Sequence, residues 1–325
     1  MPRFTILIAA YNAEPYLGDC LRSLERQTEG SFQAICIDDC STDGTAALLA
    51  QQAARDARFS VVRTPSNSGQ AIARNLGLRQ AEGDFTLILD ADDTLAETAL
   101  ADLWATHEAW PLADAIVMNL VKTWPDGRTE TVPLPDEEWP VSGRRACLLS
   151  VDWRLHGLYA LRTDLFRQQP YDETLRAYGD DISTCFHYLS ARTVARSAAT
   201  YFYRQHDASC THAVDLRRLD FLDAHRLLRT RLEAAGVSRE CLCRCERYCW
   251  YNYVGVYRQM RALRADLTAA QWQDARRRLA ACLRAMRPSR LPLSAWRQPS
   301  TVFVRPFRLF CLWQALLIRL SALRR

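Results

Sequence analysis

Several features that the sequence lacks exclude whole classes of protein. No apolar run in its 325 residues reaches the length of about twenty that a membrane-spanning helix needs. The phosphate-binding fingerprint G-x-G-x-x-G is missing after the first predicted strand, where Ala9-Ala10-Tyr11-Asn12 stands instead, which argues against a dinucleotide-dependent dehydrogenase. No G-K-[ST] is present, which argues equally against a P-loop enzyme.

The twelve cysteines are scattered, without the paired C-x-x-C spacing of structural zinc sites. The densest group is Cys241, Cys243, Cys245 and Cys249. Its helical spacing fits small packed side chains at least as well as metal ligands, so zinc is the less favoured alternative. The chain also runs from Met1 straight into an apolar strand without a leader cleavage site. We therefore expect a reduced, cytoplasmic compartment.

Lysine is almost absent, since Lys122 is the only one, and nearly all positive charge is carried by arginine. The net charge of +5 is unevenly distributed. The candidate functional acids lie before about residue 185, and arginines crowd the chain after about residue 215. This asymmetry indicates an acidic catalytic half and a basic half that meets an anionic partner. The arginines alternate with leucine and alanine on predicted helices, and no nucleic-acid reader motif is present, so nucleic acid is not expected.

What the sequence does contain is a regular alternation of strands and helices. Apolar runs predict strands at 4–9, 32–37, 59–63 and 85–89, and helical periodicity predicts helices at 16–27, 45–55 and 70–81 between them. Such alternation is typical of an α/β fold with a mainly parallel sheet covered by helices. Ligands bind such sheets outside the carboxyl ends of the strands, which is where polar clusters occur in this sequence.

The later part of the chain changes character. Strands are predicted at 115–120 and 194–203, a loop at 124–140 and a helix at 184–191, and after about residue 213 the pattern is entirely helical. We therefore expect a domain at 1–212, followed by a helical region at 213–325 for acceptor binding or membrane association.

Three predicted strand ends carry side chains that suit a nucleotide and a metal ion. Asp90 and Asp92 form a D-x-D after the fourth strand, and oxygen ligands of this kind hold Mg²⁺ or Mn²⁺ against phosphates. The alternative is a solvated turn, or capping of a helix at 94–103 by Asp92 or Asp93. Asp38 and Asp39 end the second strand, where one of them could accept a hydrogen bond from a base. Tyr11 ends the first strand, where its ring could stack on a base.

Five segments at this edge resemble the family 2 glycosyltransferases, which have the GT-A fold. They are IAAYNA at 8–13, IDDCSTDGT at 37–45, NSGQAIARN at 67–75, AEGD at 81–84 and LDADD at 89–93. They follow the family's order and spacing over about the first hundred residues. The resemblance implies an inverting transferase that takes its sugar from a nucleotide-sugar, most simply a UDP-sugar, with Mn²⁺ or Mg²⁺ as cofactor.

The resemblance also assigns residues to the donor site. The nucleotide-binding positions are Ala9, Tyr11, Asp38, Asp39, Arg74, Asp90, Ala91 and Arg204, and the metal ligands are Asp92 and His206. Asp39 would face the uracil imide and Asp38 would support its turn. Arg74 suits the diphosphate, with a surface ion pair as the alternative. Cys40 stands where the family has glycine, which would strain a turn that needs a positive φ.

The second half supplies the candidate base. Asp180 and Asp181 match the family's acidic pair before a late helix, and the resemblance implies that Asp181 deprotonates the acceptor hydroxyl. The alternative is that the two acids cap a helix beginning near Ile182. The YRQH segment at 203–206 resembles a motif that returns to the diphosphate, through Arg204, and to the metal, through His206. A structural histidine is the alternative there.

We expect transfer of a hexose or N-acetylhexosamine to a glycan or lipid-linked saccharide, in synthesis of bacterial surface polysaccharide or lipopolysaccharide. A non-catalytic sugar-nucleotide binder or scaffold with the same fold is the alternative.

Near its end the chain has an apolar stretch at 309–318 flanked by Arg305, Arg308 and Arg319. It predicts an amphipathic helix on an anionic membrane surface, at the inner face of the cytoplasmic membrane, or a terminal helix packed on the protein. The aromatic group of Tyr248, Trp250, Tyr251, Tyr253 and Tyr257 predicts either a sugar-stacking surface or a core between helices.

Overall fold

A computed structural model describes residues 1–175, 178–206 and 216–322, without the side chains of Asp181, Ser300, Ser321 and Ala322. Contacts divide the chain into two compact units, Met1–His212 and Ala213–Arg325. Each unit has its own secondary structure, and the two are described separately below.

The first unit begins with the predicted alternation. Its elements are β1 (Phe4–Ala10), α1 (Glu14–Glu25), β2 (Phe32–Asp38), α2 (Thr45–Arg55), β3 (Phe59–Arg63), α3 (Gln70–Leu78) and β4 (Phe85–Ile88). It continues through β5 (Thr94–Leu95), α4 (Ala99–Ala109), β6 (Ala115–Thr123), β7 (Thr129–Val132), β8 (Val141–Ser142), α5 (Gly143–Ser150), β9 (Tyr159–Arg162), α6 (Thr163–Gln168), α7 (Gly179–Ser190) and β10 (Thr193–Arg204).

These strands form one sheet in the order β3-β2-β1-β4-β9-β6-β10-β5, with β7 beside β6 and β8 beside β10. The first four strands are parallel to one another, and β6 is parallel to β10. The inserted strand β9 is antiparallel to both of its neighbours. Because β1 lies between β2 and β4, the carboxyl ends of these three strands are adjacent.

The strands form where the sequence is apolar enough to be covered on both faces. In β1 every residue from Phe4 to Ile8 is buried, and β2 is buried from Ala34 to its last residue. Helix α1 packs its apolar stripe of Leu17, Cys20, Leu21 and Leu24 inward, after Pro15 in its first turn. Burying one such leucine stabilises the fold by about 1.5–3 kcal/mol, so this face fixes the position of the helix.

Two predictions of local structure are wrong. The segment at 94–103 does not form one helix, because Thr94 and Leu95 are a strand that pairs antiparallel with β10. Helix α4 begins only at Ala99. The predicted loop at 124–140 contains β7, which forms a hairpin with β6. Both strands are short and gain their hydrogen bonds from distant or turn-linked partners, which local periodicity does not reveal.

The second unit is helical. It contains α8 (Asp220–Ala234), α9 (Arg239–Ala262), α10 (Ala269–Ala285), α11 (Ser294–Arg297) and α12 (Phe307–Ala322), with 3₁₀ turns at Leu216–Leu219, Leu263–Ala265, Pro288–Arg290 and Pro299–Thr301. In the described part of the chain, none of the helices combines the length and the apolar character needed to cross a membrane.

Helix α9 supplies the core of this unit. Trp250, Tyr253 and Tyr257 are buried, so this part of the predicted aromatic group is core. Cys241, Cys245 and Cys249 are buried on one face of the same helix, as their spacing indicates. An ion pair of Arg229 and Glu246 is buried beside them, with 2.7 Å between Nη1 and Oε1, and Glu246 also accepts the backbone N–H of Arg287.

Candidate active site

The first part of the site is built by the adjacent ends of β1 and β2. Ala10 is in register with Asp38, and the N–H of Asp39 donates to the carbonyl of Ala10 at 2.8 Å. Tyr11 follows directly and is 48% exposed, which leaves its ring accessible at this edge. Ala9 lies in β1 beside it and is half-buried. The structure therefore brings Tyr11 and the Asp38–Asp39 pair together.

Asp39 is buried and fastens the loop that leads into α3. Its Oδ1 accepts hydrogen bonds from Thr64 Oγ1 at 2.7 Å and from the N–H of Ser68 at 2.9 Å. Its Oδ2 accepts the N–H of Gly69 at 2.8 Å. A carboxylate has about four acceptor positions, so these three bonds leave capacity for one further donor. The structural role was not evident from the sequence, because Thr64 and Ser68 lie outside the motif of Asp39.

Asp38 and Cys40 shape the turn after β2. Asp38 Oδ1 accepts the N–H of Ser41 at 2.9 Å, and its Oδ2 lies 3.2 Å from Arg63 Nε. Cys40 has a φ of 63°, in the left-handed region that favours glycine. The turn therefore does require a positive φ at the position where the family has glycine.

Arg74 links two separate acidic segments. It lies on α3 and is only 4% exposed; its Nη2 donates to Asp90 Oδ1 at 2.7 Å and its Nη1 to Asp180 Oδ1 at 2.8 Å. Burial alone would lower the pKa of Arg74, but the carboxylates of Asp180 and Asp90 outweigh it and raise that pKa. Arg74 therefore forms ion pairs, as the alternative stated, but from a buried position and not on the surface. This guanidinium joins the end of β4 to the start of α7.

The D-x-D segment lies at the end of β4 and meets the end of β10. Asp92 Oδ2 is 2.9 Å from His206 Nε2, and the carbonyl of Asp92 accepts Arg204 Nε at 3.0 Å. Between the two acids, Ala91 is buried in the core. The structure thus brings together both predicted metal ligands and the predicted diphosphate arginine. Capping of a helix at 94–103 by these acids is excluded, because Thr94 begins a strand.

Helix α1 contributes two side chains that the sequence did not indicate. The ring of Tyr16 stacks on His206, with centroids 4.4 Å apart. Asp19 Oδ2 accepts Arg204 Nη2 at 2.7 Å, and this hydrogen bond lowers the pKa of Asp19. Both residues lie in the helix that follows β1. A rule that the first turns of such helices face the strand ends would have found them.

Asp93 and Tyr201 are a second buried pair that the sequence did not indicate. The hydroxyl of Tyr201 donates to Asp93 Oδ2 at 2.8 Å and accepts the N–H of Asp90. Asp93 Oδ1 accepts the N–H of Arg204 at 2.7 Å. Burial, followed by the negative charges of Asp90 and Asp92, raises the pKa of Asp93 to about 8. At neutral pH a carboxyl group with that pKa is mostly protonated, so Asp93 adds little negative charge to this strand end.

These donors are suited to a divalent cation, although the described residues include no group of three or more histidine, cysteine or acidic side chains arranged as a metal site. Asp90 and Asp92 are partly exposed carboxylates, of the hard-oxygen type that Mg²⁺ and Mn²⁺ prefer. His206 adds a ring nitrogen beside Asp92, and among the described residues its buried Nδ1 has no hydrogen-bond partner. The chemistry of the donor set fits such an ion.

The late acidic pair lies in the first turn of α7. The helix begins at Gly179 after Tyr178, so Asp180 is inside the helix and is not its N-cap. The carboxylate of Asp180 is 40% exposed and pairs with Arg74. This contact rules out the capping alternative for Asp180. Asp181 is the next residue of the same turn, and its side chain lies outside the described part of the structure.

Comparison with known proteins identifies the family. The family model for Glycosyl transferase family 2 matches residues 5–168, just over half of the chain. This chain therefore belongs to glycosyl transferase family 2, and the resemblance seen in the sequence is confirmed.

Curated relatives match over part of their length. A putative teichuronic acid biosynthesis glycosyltransferase, TuaG of Bacillus subtilis, is 40% identical over 92 residues, which cover 28% of this chain and 36% of the relative. The poly(ribitol-phosphate) beta-N-acetylglucosaminyltransferase TarS of Staphylococcus aureus is 26% identical over 237 residues, 70% of this chain and 40% of the relative. The chain thus spans well under half the length of these relatives.

Solved structures show the same fold. The crystal structure of S. aureus TarS 1–349 superposes with a TM-score of 0.66 and 21% identity, covering 93% of this chain and 88% of that one. The predicted fold class is confirmed: a GT-A fold with a mainly parallel sheet flanked by helices, followed by a helical C-terminal region.

Proposed function

We propose that this chain is an inverting glycosyltransferase that moves a sugar from a nucleotide-sugar to a hydroxyl of a glycan or lipid-linked saccharide. The observation that carries the proposal is the Arg74 bridge. It joins Asp90, at the strand end that suits a nucleotide diphosphate, to Asp180, beside the candidate base. A scaffold would not need a buried guanidinium shared by two partly exposed carboxylates.

A uridine diphosphate-linked hexose or N-acetylhexosamine is the proposed donor. Tyr11 offers an exposed ring for the base, and Asp39 has one acceptor position left for an imide N–H. Arg204 lies where a guanidinium suits the diphosphate. Solved structures of TarS contain UDP and UDP-GlcNAc, which supports this donor class for a chain of the same fold.

Asp92 and His206 are the proposed ligands of Mn²⁺ or Mg²⁺, with Asp90 close to the ion. When bound, such an ion stabilises the charge that develops on a departing diphosphate. A mannosyltransferase from Pyrobaculum calidifontis, solved with GDP-Man and Mn²⁺, has the same fold at a TM-score of 0.55 and 17% identity, which supports a metal here.

Asp181 is the proposed general base. It would accept the proton of the acceptor hydroxyl while that oxygen bonds to the anomeric carbon and the bond from this carbon to the diphosphate oxygen breaks. A positioned carboxylate contributes typically 10²–10⁴-fold to such a step. Attack opposite the leaving group gives inversion. Arg74 and Asp180 are the proposed positioning residues, since they hold α7 against the end of β4.

Synthesis of a bacterial surface polysaccharide is the proposed process, with lipopolysaccharide as one candidate product. The names of the curated relatives support it, since they include teichuronic acid and succinoglycan biosynthesis proteins and a teichoic acid polymerase.

Calorimetric titration with uridine diphosphate, with and without Mn²⁺, tests the donor site. We expect binding that requires Mn²⁺ and is reduced at least tenfold in Asp92→Ala, because a direct ligand is lost. The control is Asp164→Ala, which removes an exposed carboxylate and should leave binding unchanged. Asp164 follows β9, whose last residue pairs with the first residue of β4, so it lies at the sheet edge opposite to Asp92. If no nucleoside diphosphate binds under either condition, the transferase proposal fails and the scaffold alternative replaces it.

Single-turnover kinetics of sugar transfer, measured as the release of UDP from the donor, test the proposed base. Asp181→Asn should lower the transfer rate by about 10²–10⁴-fold and leave UDP affinity unchanged. Asp180→Asn is the matched neighbour: it should weaken UDP binding through Arg74 and affect the rate less. Equal rate losses in the two variants would show that Asp181 has no special role.

A further inference from the structure

Helix α12 exposes a row of leucines. Leu309, Leu312, Leu316 and Leu320 follow one another at spacings of three and four residues, so they share one face of the helix. Each is between 48% and 67% exposed. We refer to these four residues as the leucine stripe. Among the described residues thirteen large apolar side chains are exposed, and seven of them lie between residues 293 and 320.

The opposite face of α12 already provides its packing. Phe310 is fully buried, with its ring 4.8 Å from Tyr257 and 5.3 Å from Tyr253. Gln314 is also fully buried and accepts Arg258 Nε at 3.1 Å. The helix is therefore held on its own unit without the leucine stripe. A contiguous exposed apolar row on a packed helix marks an interaction surface.

The chain segment that contains the stripe carries charge of one sign. Twelve arginines lie in residues 275–325, and that segment contains no aspartate or glutamate. The only charged residues of α12 are Arg308 and Arg319. Arg308 precedes Leu312 by one helical turn, and Arg319 follows Leu316 by one turn, so the two guanidinium groups border the leucine stripe.

We propose that α12 binds an anionic phospholipid membrane surface, lying parallel to it. The leucine stripe enters the boundary between headgroups and acyl chains, and the arginines contact lipid phosphates. A second copy of this chain is the poorer occupant, because its segment of twelve arginines would face an identical one. The inference does not depend on the proposed transfer reaction.

Flotation of the full chain with lipid vesicles tests the surface. Vesicles of phosphatidylcholine alone are compared with vesicles of equal parts phosphatidylcholine and phosphatidylglycerol. We expect binding to the anionic vesicles, at least tenfold weaker binding to the neutral ones, and a steady decrease with added sodium chloride. Absence of binding to the anionic vesicles at low salt overturns the proposal.

Paired variants assign the binding to α12. Leu312→Ser with Leu316→Ser should weaken vesicle binding at least tenfold, and Arg308→Gln with Arg319→Gln should weaken it by about thirtyfold. The first control is Leu112→Ser, since Leu112 is 72% exposed in the other unit. The second is Arg55→Gln with Arg79→Gln, which removes the same charge from exposed positions elsewhere. All changes are at exposed side chains, so folding should be preserved.

The oligomeric state of the same proteins, measured by sedimentation, distinguishes a membrane from a second copy of the chain as the occupant of the leucine stripe. If the wild type is a dimer that the leucine variants dissociate, and vesicles are not bound, the surface belongs to a second copy and the membrane proposal is wrong. Equal losses of vesicle binding in the controls and the α12 variants would likewise overturn it.

Discussion

Three residues with a side chain adopt a positive φ around the candidate site: Asn12 after β1, Cys40 after β2 and Tyr178 before α7. Such conformations cost of order 1–3 kcal/mol and persist where the surrounding structure enforces them. Asn12 is held by its own bonds, since its N–H donates to Ser41 and its side chain accepts the N–H of Thr42. The strain is therefore concentrated in the turns that present Tyr11, Asp39 and the late acidic pair.

Replacing Cys40 should relieve part of this strain. We expect Cys40→Gly to raise the free energy of unfolding by about 0.5–1 kcal/mol, because glycine removes the Cβ clash of the left-handed region at a smaller entropic cost. Urea unfolding of both proteins measures the difference. The control is Cys243→Gly, within helix α9, which should lower stability by about 1 kcal/mol. A destabilised Cys40→Gly would mean that the thiol makes a compensating contact.

How much of the site the sequence predicts depends on where each partner comes from. Residues at the ends of β1, β2 and β4 were predictable, because a parallel sheet places consecutive strand ends at one edge. The contacts of Tyr201 with Asp93 and of Asp180 with Arg74 were not predictable, since about a hundred residues separate the members of each pair in the chain. Their positions follow from the strand order and from the packing of α7, which are features of tertiary structure that local sequence patterns do not show.

At the scale of elements, too, what local sequence determines was predictable and what depends on a distant partner was not. The bounds of α2 and β3 agree with the periodicity, because each is a complete amphipathic or apolar segment. Strand β5 was missed because a segment of two residues is too short to show an apolar periodicity. It is a strand because it pairs with β10. That pairing delivers Arg204 and His206 to Asp92. The element that is least visible in the sequence therefore completes the site.

Helix α7 is held by a neutral histidine. His187 is fully buried; its Nε2 lies 2.6 Å from the carbonyl of Gln169, which can only accept, so Nδ1 accepts the Tyr159 hydroxyl at 2.6 Å. Burial lowers the pKa of His187 to about 4. Since the unfolded value is about 6.5, this contribution to stability is complete above pH 6.5 and is lost as the pH falls through 4.

The wild type should therefore lose stability on acidification from pH 6.5 to 4, by up to about 3 kcal/mol from His187. His156, whose pKa burial also lowers to about 4, contributes in the same sense. His187→Gln should reduce the acid slope of urea stability by about half and lower stability at pH 7. His107→Gln, at a less buried imidazole, should change the slope far less. An unaltered slope in His187→Gln would contradict the neutral, buried assignment.

At the scale of the whole molecule, the modest net charge hides two opposite regions. Residues 275–325 hold twelve of the 42 basic residues and none of the 37 acids, so the remaining 274 residues carry 30 basic residues against 37 acids. The acidic candidate site lies in the first unit, and helix α12 with the arginine-rich segment lies in the second. A negatively charged donor thus needs local arginines and a cation for binding, whereas an anionic surface is attracted by the second unit directly.

This separation predicts that the two binding properties can be lost independently. Leu312→Ser with Leu316→Ser should lose binding to phosphatidylglycerol vesicles and keep the wild-type affinity for uridine diphosphate with Mn²⁺. Asp92→Ala should show the reverse, because it removes a proposed metal ligand and leaves the leucine stripe and its two arginines unchanged. Calorimetry and flotation on the same preparations measure both. If vesicles changed nucleotide affinity by more than about threefold, a coupling free energy of about 0.7 kcal/mol would link the sites, and the independence argued here would be wrong.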